Sequence, residues 1–98
     1  MNYVDEVAAL IRAEVPPHKL PEEDTRTLFR SYAVLLFAKG QEVTSSDVHN
    51  AWVAWMSERE PNHDALVPFD ELDKAVAMED EPYAAAIRAV SRSMARSI

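Results

Sequence analysis

Gly40 is the only glycine in this sequence. A lone glycine leaves few places for the positive-φ turns that join β-strands, and almost no segment alternates apolar and polar residues with period two. The chain is therefore expected to be all-α. Just before Gly40 the run Tyr32 to Ala38 is apolar or aromatic throughout. A helix that is hydrophobic all round is buried on every side. The run is far shorter than the ~20 residues a membrane span needs. It reads as the central helix, about 21–39, of a compact bundle of four longer helices plus one short helix.

With 98 residues the chain is expected to form a single domain. It has no cysteine, which removes disulfides and thiolate nucleophiles. The N-terminus, Met-Asn-Tyr-Val-Asp-Glu-Val, lacks the basic region and apolar stretch of a secretory signal, and a cytoplasmic location is expected. The net charge of −7 argues against direct nucleic-acid binding, which needs a basic surface to release counterions. That charge is uneven. From Glu58 to Glu81 there are nine acids against Arg59 and Lys74, while Pro82 to Ile98 carries three arginines and no acid.

Helix signals set the order of elements. Asn2 can cap a first helix that runs to about Val15, with a stripe of Tyr3, Val4, Val7, Ala8, Ile11 and Val15. Pro16-Pro17 ends it. Pro21 opens the second helix, with Glu22, Glu23 and Asp24 at the positive end of its dipole. Glu22, Arg26 and Arg30 are spaced to pair along an exposed edge. Leu28, Phe29, Tyr32, Leu35 and Leu36 face inward, and Gly40 stops the helix. Thr44, with Asp47 three residues on, caps a third helix over about Ser45 to Arg59. There Val48, Trp52, Trp55 and Met56 share a stripe. Trp52 is expected in the core and Trp55, near the helix end, at a surface cleft.

After the irregular stretch Glu60 to Val67, a short helix is expected from Glu71 to about Met78, with Leu72, Ala75 and Val76 inward. Pro82 then lies in the first turn of the last helix. Tyr83, Ile87, Val90 and Met94 form that helix's apolar face, which is also the surface through which the chain could form a homodimer. The final residues are expected to fray.

No motif with a catalytic mechanism is present. His18, His49 and His63 lack metal-ligand spacing, and Gly40 alone cannot make a phosphate loop. No metal, no cofactor and no enzymatic activity are expected. His49 and Trp52 are neighbours on the third helix, and His49 can either bond a carbonyl in the loop before Phe69 or face a ligand. A Gly-x-x-x-Thr spacing from Gly40 to Thr44 hints at a helix-turn-helix. The helix that follows has no arginine before Arg59 and is unsuited to reading DNA.

The block His49-x-x-Trp52, then His63-x-x-Leu66-Val67-Pro68-Phe69-x-x-Leu72 and a later Glu-Asp, resembles the ryanodine-receptor repeat, or RyR domain, over about 47–90. The loop here is shorter and more acidic than that family's. The whole chain is also similar to small uncharacterised proteins of actinobacteria and their phages that share Thr-x-x-Asp-Val-His-x-Ala-Trp. RyR-type domains are non-enzymatic modules, and in some bacterial defence proteins similar domains are thought to sense nucleotide-derived signals. The resemblance implies a ligand site among His49, Trp52, Trp55, His63, Pro68 and Phe69, with Arg88 or Arg92 reaching in to hold phosphate.

Three functions follow as expectations. The first is a non-enzymatic binding module for a protein partner, met by aromatics near Trp55, Pro61 and Phe69 beside an acidic rim that suits a partner with a basic rim. The second is a sensor of a nucleotide-type small molecule. It requires the tryptophans and Arg88 or Arg92 to share one side of the bundle. The third is an acidic inhibitor that mimics nucleic acid.

Overall fold

A computed structural model of the chain describes residues 2–96. Ser97 and Ile98, the last of the residues expected to fray, lie outside them. The described chain is all-α: α1 (Tyr3–Glu14), α2 (Arg26–Lys39), α3 (Ser45–Arg59), the one-turn α4 (Lys74–Ala77) and α5 (Glu81–Arg96). Short 3₁₀ turns at Pro17–Lys19, Gly40–Glu42, Phe69–Glu71 and Met78–Asp80 punctuate the connections.

The caps are those the residues imply. The Asn2 side chain accepts from Val4 N and Asp5 N at 3.0 and 3.2 Å, and the Asp5 carboxylate accepts from Asn2 N. Thr44 and Asp47 make the same reciprocal pair at the start of α3. Gly40 closes α2 with φ 56° and ψ −123°, a backbone that side chains disfavour. A Cβ there would also stand 3.1 Å from Ser91 Oγ on α5. The connection after α2 is thereby tied to glycine twice over.

α2 starts at Arg26 and not at Pro21. The cause is Asp24. Its carboxylate accepts from Arg26 N at 3.0 Å and grips the Arg26 guanidinium, which settles the first-turn donor from outside the helix. Asp24 takes the partner expected of Glu22, and Arg30 pairs with Asp5 of α1 at 3.2 Å.

α2 does lie at the centre, in contact with α1, α3 and α5. It is not buried all round. Leu28, Phe29, Tyr32, Ala33 and Leu36 are buried, whereas Val34 and Phe37 are 56% and 47% exposed. Three neighbouring helices cover one side of a helix, and nothing in the described chain covers the other. The core places Ile11, Tyr32, Val48 and Ile87 from four helices together, all at 2% exposure or less. Complete burial of one such aliphatic side chain stabilises a fold by about 1.5–3 kcal/mol. Phe29, Tyr32 and Tyr83 add an aromatic cluster with ring centroids 5.2–6.1 Å apart.

The last third is less regular than its residues imply. The helix expected from Glu71 is the single turn α4, with Ala75 and Met78 exposed. Ile87 and Val90 on α5 are buried against the other helices, so the face named for self-association is largely covered by this chain's own core.

Candidate functional site

The third helix and the loop after it form one wall of a cleft of about 520 Å³, whose other walls are the connection before α2, α2 itself and the segment from Val76 to Tyr83. Thr44 fixes where α3 begins, and this sets His49 toward the core at 2% exposure. His49 Nε2 lies 2.7 Å from the carbonyl oxygen of Val67. A carbonyl only accepts, so Nε2 carries a proton and donates it. Of the two settings, the bond to the loop before Phe69 is the one present.

The other nitrogen, Nδ1, faces Asp80 Oδ2 at 3.6 Å. With Nε2 protonated, a neutral imidazole turns its Nδ1 lone pair toward a carboxylate. The two groups repel unless one proton sits between them. Burial raises the Asp80 carboxyl to a pKa of about 6, with the His49 charge opposing the rise and Glu79 adding to it. His49 thus ties α3 both to Val67, just before the Phe69–Glu71 turn, and to Asp80 of the Met78–Asp80 turn. Both His49 nitrogens are engaged, and neither is presented to a substrate.

Trp52 stacks on His49 with ring centroids 5.7 Å apart and planes at 24°. His63 meets the Trp52 ring edge-on at 5.1 Å, while its Nδ1 accepts from Ala65 N. Tyr83 crosses the mouth and donates its hydroxyl to the Lys19 carbonyl. Burial, with the charges of Asp80 and Glu79, raises the Tyr83 hydroxyl above its ordinary pKa.

Both tryptophans line the cleft, as expected of Trp55, but their burial is the reverse of that expected. Trp55 is the buried one, at 7% exposure, and Trp52 is half-buried at the cleft. The reason is Thr27 on α2. Trp55 Nε1 donates to its hydroxyl at 2.9 Å, which satisfies the indole's only polar atom inside the bundle. The Arg59 guanidinium covers the outer part of the ring at 3.9 Å from its centre.

The structure brings His49, Trp52, Trp55 and His63 to one cleft, with Phe69 against His49 at 6.0 Å. Pro68 is exposed outside the cleft lining. Arg88 and Arg92 are also elsewhere. Arg88 donates to the Val43 carbonyl at 2.8 Å and pairs with Glu81 at 2.7 Å, and Arg92 is exposed on α5. A base stacked on Trp52 would find neither arginine in the walls of this cleft, which include Glu23, Glu79 and Asp80.

A second surface lies on the outward side of α2. On α2, Arg26, Arg30, Val34 and Phe37 are all exposed and recur at i, i+4, i+8 and i+11, one row along the helix. Tyr3, 66% exposed, meets Phe37 edge-on at 5.5 Å. Beside the arginine end of this row runs a groove of about 730 Å³ lined by Arg12, Arg26, Arg30 and Arg59. The spacing is visible in the sequence, but an unbroken apolar run predicts burial of Val34 and Phe37.

The profile of a family described as "Domain of unknown function (DUF7701)" matches residues 2–92. The chain belongs to that family. The match takes in α1 and α2 as well as the cleft. No curated protein and no solved structure matches this family member. Among its described residues no three His, Cys, Asp or Glu side chains gather as a metal site, and no helix is long and apolar enough to cross a membrane.

Proposed function

We propose that this chain is a non-enzymatic module that recognises a protein partner through the outward face of α2. The observation that carries the reading is the exposed pair Val34 and Phe37, extended by Tyr3. Scattered apolar residues on a surface need no explanation, but adjacent large ones on two packed helices mark an interaction site. The cleft supports the same reading by contrast. Its histidine is occupied on both nitrogens, and its polar groups serve the fold.

A photo-crosslinking residue at position 34 tests this in cells that express the full chain, with position 85 on exposed α5 as control. The expected result is one discrete adduct from position 34, none from 85, and its loss when Phe37→Asp is added. Equal labelling from both positions, or none from 34, would overturn the reading. An adduct containing only peptides of this chain would make the partner a second copy.

A further inference from the structure

The row on α2 changes character along its length. Phe37 and Val34 form an apolar end. Arg30 and Arg26 lead from it into the groove that Arg12 and Arg59 also line. Two of these four arginines are already matched, Arg26 with Asp24 and Arg30 with Asp5. Arg12 and Arg59 make no ion pair among the described residues. Each is instead set against a ring: Arg12 6.0 Å from the centre of Phe29, and Arg59 3.9 Å from that of Trp55. One Arg59 nitrogen, Nη1, also donates to the Trp55 carbonyl at 3.4 Å, and the others make no hydrogen bond within the described residues. A guanidinium oriented by an aromatic face keeps N–H donors for a planar anion, and a carboxylate fits that fork in bidentate fashion. Of the groove's three acids, Asp5 and Asp24 are the matched ones. Two guanidinium groups are then left against one carboxylate, Glu23. This local excess of positive charge stands on a chain whose formal charge is −7.

We infer that this face takes an amphipathic segment of the partner, apolar where it meets Val34 and Phe37 and acidic where it meets Arg12 and Arg59. From Arg26 to Phe37 the row spans about 16 Å, the length of a three-turn helix. Apolar contact then supplies affinity, and the arginines set direction and exclude basic partners. The proposal rests on the protein-recognition reading above and adds the chemistry of the partner.

The test pans a random library of peptides about twelve residues long against the full chain, a length that covers the row. The Phe37→Asp protein and the Arg12→Glu/Arg59→Glu double variant serve as comparison targets. Selected peptides should carry Asp or Glu clustered at one end and aromatic or aliphatic residues at the other. Their binding should vanish on Phe37→Asp and weaken about tenfold or more on Arg12→Glu/Arg59→Glu. An Arg12→Lys/Arg59→Lys protein, which keeps the charge, should retain most of it, and matching melting curves confirm that the variants fold.

Peptides lost on Phe37→Asp but indifferent to the arginine reversal would overturn this inference and leave the protein-recognition reading standing. Peptides indifferent to both changes, or no enrichment at all, would overturn both. Inorganic pyrophosphate is the last probe. If it raises the melting temperature through Arg12 and Arg59 while no acidic peptide binds, the groove is a small-anion site and the inference falls.

Discussion

The cleft beside α3 and the outward face of α2 use similar residues to opposite ends. At the cleft an aromatic, a histidine and an acid are tied together: His49 to Val67 and Asp80, Trp52 to His49 and His63, Trp55 to Thr27. On the outward side, Val34 and Phe37 of α2 are exposed, and beside them the ring-backed Arg12 of α1 and Arg59 of α3 line the groove. Groups whose partners lie within the chain hold the fold. Groups without them are where a second molecule can add contacts. A histidine and a tryptophan in a cleft are thus a poorer guide to function here than a valine and a phenylalanine on the surface.

The comparison breaks first at His49. His49→Ala removes the donor to Val67 O, opens a cavity beside Trp52 and leaves Asp80 buried without its partner. A loss of about 3 kcal/mol is expected, since buried networks lose the desolvation cost of every orphaned group. For a domain of this size that lowers the melting temperature by more than about 10 °C. Crosslinking from position 34, measured well below the melting temperature, should persist. A His49→Ala protein as stable as the parent would show that the cleft does not hold the fold.

A smaller effect is expected at Trp55. Trp55→Phe keeps most of the apolar burial but loses the bond to Thr27 and part of the ring under Arg59. That should cost about 1–2 kcal/mol by thermal or urea unfolding. Thr27→Val, which removes only the acceptor, should cost a similar amount if the bond is the reason Trp55 is the inner tryptophan. No cost for either would assign its position to packing alone.

How much of this was legible follows the same division. Caps are local, so Asn2 with Asp5, Thr44 with Asp47, and Gly40 could be read directly. The His49 bond to the loop before Phe69 was one of two settings the sequence left open, and the carbonyl of Val67 decides between them. The start of α2 was not legible. Acids at 22–24 suit a helix N-terminus whether they lie inside it or just before it, and only the Asp24–Arg26 grip decides. Nor could spacing choose between Trp52 and Trp55, because the deciding partner, Thr27, is 28 residues away. Val34 and Phe37 were misplaced for a more general reason. An apolar run signals burial, and burial by a partner looks the same in one sequence as burial by the chain itself.

Asp80 tests whether burial of its carboxyl is felt in the stability of the fold. Its carboxyl is raised in the fold from 3.8 to about 6, chiefly by burial. A raised carboxyl binds its proton more tightly folded than unfolded. The stabilisation is therefore complete below the ordinary value and is lost as pH rises through about 6. Asp80→Asn imitates the protonated group, since its amide can donate to Nδ1. The variant should exceed the parent by about 1 kcal/mol near pH 7.5 and lose that advantage as the pH falls toward about 4.5. An offset that does not vary with pH would mean that Asp80 stays ionised beside His49 throughout.

The smallest stability change is expected where the functional change is largest. Val34→Ser and Phe37→Ser remove apolar surface that is already half in water, so each should shift stability by no more than about 0.5 kcal/mol. Phe37→Ser also gives up the edge contact with Tyr3, which is exposed and adds little. Yet the same changes should abolish crosslinking from this face and the binding of selected peptides. If Phe37→Ser instead destabilises as much as Trp55→Phe, then Tyr3 and Phe37 brace α1 against α2, and the outward face belongs with the cleft as part of the scaffold. If stability holds and binding is lost, the two regions have separate tasks, and Phe37 was kept out of the core because a partner needs it.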